Sequence, residues 1–331
     1  MTPHLPVPAI PIDKPFTLPQ QGSWPEARHV FDERSAHAIR AALAAERPLL
    51  LRGEPGTGKS QLARAAAARL KRMFISEVVH ARSESQDLLW RYDAVRRLGD
   101  AQAIGAAGLN EKQVNARLAQ IKYVSPGSLW WAFDWTSANA QNLLSSQQFV
   151  APVKPKGWSE TRGGVILIDE IDKAEAELPN GLLETLGNGG FAVPWRAGSV
   201  RNVKGPAPLV IITTNEEREL PAAFVRRCLV LRLALPTNDK EFLELLCARG
   251  KLHFGESLAD EIYAGAADQL LKDRKKFDGA DVPKPGQAEY LDLLRALKTL
   301  WPGKHDQQIA NLKLIAEFTI GKHSEAPVPV G

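Results

Sequence analysis

Gly53-Glu54-Pro55-Gly56-Thr57-Gly58-Lys59-Ser60 sets glycines, a lysine and a hydroxyl in the order G-x-x-x-x-G-K-[ST]. Glycines let a backbone curl until successive N–H groups point at phosphate oxygens, and a helix that follows adds the partial positive charge of its first turn. In such a loop Lys59 reaches the β and γ phosphates of a nucleoside triphosphate and Ser60 ligates magnesium. The candidate binding set is therefore Gly53, Glu54, Pro55, Gly56, Thr57, Gly58, Lys59, Ser60 and Gln61. A second segment, Val165-Ile166-Leu167-Ile168-Asp169-Glu170, ends four apolar residues in two acids. At the carboxyl end of a strand Asp169 would hold the metal, and Glu170 would orient or polarise the attacking water.

These residues need a frame to position them. Leu49, Leu50 and Leu51 form a short apolar run between Pro48 and Gly53, and Lys59 to Lys71 is helix-compatible, so the order is strand, glycine loop, helix. Further strands are predicted at Phe74 to Val79, Val165 to Ile168, Leu209 to Ile212 and Leu229 to Leu233. Short, continuous and rich in branched residues, they suit a parallel sheet covered by helices on both faces. A helix is predicted from Asp32 up to Pro48.

More than eighty residues separate the second and third strands, too many for one crossover, so an insertion is expected at about 82–160. It holds helix-like text at Gln86 to Leu98 and Asn110 to Gln120, then the aromatic stretch YVSPGSLWWAFDW. The first 23 residues carry Pro3, Pro6, Pro8, Pro11, Pro15 and Pro19, which favours an extended arm with folded structure starting near Trp24. After Pro236 the text turns helical, predicting three parts: an arm at 1–23, an α/β domain at 24–236 and a helical domain at 237–331.

Composition agrees with a soluble two-domain chain: 331 residues, 44% hydrophobic and 24% charged, with net charge +4. No apolar stretch approaches the ~20 residues a membrane-spanning helix needs, and the first residues do not read as a leader, so a cytoplasmic protein with no membrane partner is expected. Two cysteines, Cys228 and Cys247, make neither a disulfide framework nor a zinc site, and the seven histidines show no ligand spacing. His80, after the second strand, reads chiefly as a strand-end residue.

With GEPGTGKS, VILIDE and the following IDKAEAELPNGLLETL, the chain resembles the AAA+ ATPases, and within them the MoxR-like group, over about residues 34–300. The resemblance implies a five-stranded parallel sheet with a C-terminal helical lid, Mg-ATP as ligand, and a ring, a hexamer, that remodels or matures a partner protein. That partner often carries a von Willebrand factor A domain. It further implies a polar sensor after the fourth strand, here Asn215 with Thr213 and Thr214 as alternatives, and an arginine finger acting on a neighbour's nucleotide, here Arg227 with Arg226 as runner-up. The family's proline-arginine-alanine triplet in the lid is missing, and Lys284 stands nearby as the substitute sensor.

YVSPGSLWWAFDW, with Trp130, Trp131 and Trp135, and a hairpin at FAVPWRAGSVRNVKG, with Arg196, Arg201 and Lys204, would face the ring's pore by the same resemblance; packing of the tryptophans against the body is the alternative. Either segment could hold a peptide or a nucleic-acid strand. A nucleic-acid-directed motor or restriction-type NTPase, and a nucleotide-gated scaffold with little hydrolysis, are the other function classes. A small-molecule kinase shares the loop but not the series Asn215, Arg227 and helical lid.

Overall fold

The computed structural model of the chain describes residues 7–105, 110–202, 205–276 and 284–320. Contacts divide it into two compact units, one built mainly from residues 31–51 and 62–231, the other from 13–30, 52–61 and the residues from 232 onward. Lys204 of the predicted hairpin lies outside the described residues.

The first unit is organised on a five-stranded parallel sheet. Its strands are β1 (Leu49–Arg52), β2 (Met73–Val78), β3 (Gly164–Asp169), β4 (Leu209–Thr214) and β5 (Leu229–Arg232), in spatial order β5-β1-β4-β3-β2. Each begins and ends within two residues of its sequence-predicted position. Leu49, Leu50, Leu51, Val165, Ile166, Leu167, Ile168, Ile211 and Ile212 are fully buried, as continuous apolar strands covered on both faces must be. The register sets Val78 beside Asp169 and Ile212 beside Ile168, so Thr213 is the β4 residue next to Asp169.

The helix Glu33–Ala45 starts where Asp32 accepts the Ser35 N–H at 2.8 Å, and it ends at Glu46 in a left-handed conformation just before Pro48. The insertion differs from the single helix expected at Gln86 to Leu98. The capping pair Glu84 and Asp87 opens a short helix, Ser85–Leu89, after which Trp90–Tyr92 pairs antiparallel with Val124–Pro126. Aromatic residues favour that strand, and Asp93 caps a new helix, Ala94–Gly105, through the Arg96 N–H. Asn110 likewise caps Glu111–Arg117, three residues shorter than predicted at its end.

Of the three tryptophans, Trp130 and Trp131 are core residues, the packing alternative, and Trp135 is half-buried against that core. Trp130 is fully buried, donates its indole N–H to Ser137 at 2.7 Å and meets Phe191 edge-on; Trp131 is buried too. Trp135 packs between Trp131 and Trp158, with the Lys154 ammonium 3.1 Å from its ring centre. Burial of such large apolar surface outweighs any exposed role for Trp130 and Trp131. The hairpin is present as Gly190–Ala192 paired with Ser199–Arg201.

The second unit contains the helices Asp239–Phe254, Asp260–Lys276, Gln287–Leu300 and His305–Thr319, matching the helical text after Pro236. Phe242, Leu246, Ile262, Tyr263, Tyr290 and Leu294 fill its centre. Gly250 is required there, because a Cβ would sit 2.6 Å from both the Tyr263 ring and the Tyr290 hydroxyl. Residues 7–15 carry no regular structure beyond a bend, but Phe16–Leu18 pairs with Ala27–His29, so strand structure begins ahead of Trp24.

Candidate functional site

The glycine loop runs from the end of β1 into the helix Lys59–Leu70. Gly53, Gly56 and Gly58 have φ of 149°, 75° and 91°, a region closed to most side chains, so their positions are a backbone requirement rather than a composition effect. A Cβ on Gly53 would lie 2.1 Å from the Leu233 carbonyl oxygen, while one on Gly58 would meet nothing within 4 Å. The loop thus has a packed side at Gly53 and an open side at Gly58. Thr57 donates to the Glu54 carbonyl at 2.9 Å, and the buried Lys59 ammonium donates to the carbonyls of Gly53 at 2.7 Å and Glu54 at 2.9 Å. Ser60 and Gln61 are half-buried in the first helical turn.

The acids are held by β4. The fully buried Thr213 donates its hydroxyl hydrogen to Asp169 Oδ1 at 2.5 Å and accepts the Glu170 N–H at 2.9 Å. Glu170 itself has φ 60° and ψ 47°, a left-handed backbone that a non-glycine residue adopts only under local constraint. The Lys173 ammonium lies 2.7 Å from Glu170 Oε2, and this hydrogen bond raises the lysine's pKa. Three residues beyond Asp169, the buried Asp172 accepts the N–H groups of Asn215 at 3.1 Å and Glu217 at 3.0 Å through Oδ2. One carboxylate therefore fixes the turn that carries Asn215. Asp172 and Lys173 stand in the segment IDKAEAELPNGLLETL, and the sequence assigned no individual role to either.

Arg226 and Arg227 end the short helix Ala222–Arg227, both exposed, just before the buried Cys228 leads into β5. The Arg227 guanidinium donates to the Leu183 carbonyl at 3.0 Å, and its own carbonyl accepts from Arg47 Nε at 3.0 Å. Arg47 also bonds the Arg226 carbonyl. A cleft beside them, of about 210 Å³, is floored by Leu183, Leu186 and Phe224. Lys284, half-buried, precedes Pro285 and the helix Gln287–Leu300. His80 acts as a turn residue: Nδ1 accepts the Arg82 N–H at 3.2 Å.

The loop by itself, with three positive-φ glycines, an open side at Gly58 and the Lys59 ammonium at its end, suits a polyphosphate. Asp169 by itself is a carboxylate oxygen donor of the kind a hard divalent cation takes.

A family model described as the AAA domain of the dynein-related subfamily matches residues 48–228. That is more than half of the chain, and the chain belongs to this family of ATPases. The match covers every strand of the sheet except the last, and it includes both motifs. A solved structure of a candidate ATPase from Cytophaga hutchinsonii is 14% identical with a TM-score of 0.37, the alignment covering 86% of this chain and 66% of that one. Among curated proteins none matches. Among the described residues no helix is long and apolar enough to cross a membrane.

Proposed function

We propose that the chain binds and hydrolyses Mg-ATP at the subunit interfaces of a MoxR-like ring and uses the energy to remodel or mature a partner protein. The observation that carries the hydrolytic reading is the buried Thr213 bridge: a hydroxyl spent on Asp169 and on the Glu170 N–H is a device for aiming two acids. Loop N–H groups and Lys59 hold the β and γ phosphates, and Ser60 and Asp169 hold magnesium, which neutralises phosphate charge when bound. Glu170 takes the proton of the attacking water as it meets the γ-phosphorus in line. Asn215, set by Asp172, senses the γ-phosphate, and Lys284 is the lid's basic group in this reading.

Arg227 completes the site of the neighbouring subunit, its exposed guanidinium offsetting charge that grows on the transferred phosphoryl group. Loss of the γ-phosphate then removes contacts that hold a subunit pair together, and the relaxed interface shifts the bound partner. A protein with a von Willebrand factor A domain is the partner class this reading favours, in the cytoplasm.

The test is phosphate release per subunit across a wide protein concentration range, with Arg227→Ala and Glu170→Gln beside the wild type. Specific activity should rise with concentration, and both variants should lose it. Flat turnover with a normal Arg227→Ala variant would sink the shared-site reading.

A further inference from the structure

An acidic side chain is an awkward neighbour for a polyphosphate, yet Glu54 sits in the glycine loop, half exposed. Its carboxylate is engaged. Arg274, in the last turn of the helix Asp260–Lys276, donates from Nη2 to Glu54 Oε2 at 2.8 Å and from Nη1 to the Pro285 carbonyl at 2.7 Å. Its guanidinium also stands 5.6 Å from the Phe242 ring, and only 14% of the side chain is exposed. Such a forked, largely buried arginine has little freedom to leave.

The loop meets the helices along a short front. A Cβ on Gly56 would come within 3.3 Å of the Ala288 Cβ, and one on Gly286 within 3.0 Å of the Pro55 carbonyl oxygen. Glu289 meanwhile accepts the Gly286 N–H at 2.9 Å, fixing the start of the helix that lies there. The main-chain carbonyl of Glu54 also accepts from the Lys59 ammonium. Arg274 therefore grips, by its side chain, the residue whose backbone partners the phosphate-binding lysine.

We propose that Arg274 is a positioning residue for the phosphate loop. It neutralises Glu54 and fixes the loop segment to which Lys59 is bonded, so that the helical unit sets the affinity for the triphosphate. The proposal rests on the nucleotide-binding reading above and adds a residue from outside both motifs. Sequence gives no hint of it, since the pair spans 220 positions.

The test is a double-mutant cycle in the full chain, reading Mg-ATP affinity with a fluorescent ATP analogue and, without nucleotide, hydrogen exchange of the amides of residues 53–58. Arg274→Ala should weaken binding about five- to tenfold and speed loop exchange, with Arg274→Lys recovering part of the affinity. In a Glu54→Gln background the same Arg274→Ala change should cost less than twofold, because the charge it offsets is gone. An equal loss in both backgrounds would overturn the proposal, since Arg274 would then act independently of Glu54. Unchanged affinity in Arg274→Ala would overturn it as well. A wild-type chain that binds no Mg-ATP would instead overturn the nucleotide reading itself.

Discussion

Thr213→Val tests the arrangement of the acids most directly. Valine reproduces the shape of threonine, so no cavity opens at this fully buried position, and only the hydroxyl is lost. Two hydrogen bonds go with it: one donated to the Asp169 carboxylate at 2.5 Å, one accepted from the Glu170 N–H at 2.9 Å. A bond to a charged group contributes about 1.5–3 kcal/mol and a neutral one about 1 kcal/mol, so the loss is about 2.5–4 kcal/mol. With a native stability of roughly 5–15 kcal/mol the variant stays folded but melts about 5–10 °C lower. Turnover should fall about 10–100-fold, the usual cost of removing a group that orients a metal-binding carboxylate, while Thr213→Ser keeps both bonds and most of the activity. Calorimetry and phosphate release on the three proteins decide it. A Thr213→Val chain with wild-type turnover would refute the claim that β4 aims the acids, whatever its melting temperature.

Gly53→Ala should abolish nucleotide binding and lower stability, because the new Cβ meets the Leu233 carbonyl at 2.1 Å and the backbone cannot keep φ near 149°; nucleotide titration and melting check both. Asp172→Ala removes the acceptor of two buried N–H groups, so a loss of about 2–4 kcal/mol in urea unfolding is expected, with slower hydrolysis at unchanged ATP affinity. Stability should also depend on pH through His253, whose pKa is pushed down to about 4 by burial and then by Arg249, Arg295 and Arg28. The unfolded chain binds the extra proton first, so stability is full above about pH 6.5 and falls as pH drops from there towards 4. Allowing for solvent screening, the loss is about 1–2 kcal/mol, and His253→Gln should flatten that part of the curve of unfolding free energy against pH.

The sequence by itself determined the phosphate loop, the acids after a buried strand, all five strands of the sheet and the helices after Pro236. Each of these is a local pattern: glycines where the backbone needs positive φ, apolar runs where both faces are covered, and a helical period where one face is. Tertiary structure decided what depends on distant partners. Trp130 and Trp131 gave no sign in their spacing that burial would claim them, because an aromatic cluster reads alike whether it packs or projects. The predicted helix from Gln86 broke because Trp90–Tyr92 found a strand partner more than thirty residues on. Thr213, Asp172 and Arg274 acquired their hydrogen-bond partners only when β4 lay beside β3 and a helix end met the glycine loop, since a hydrogen bond is set by proximity in space and not by position in the chain.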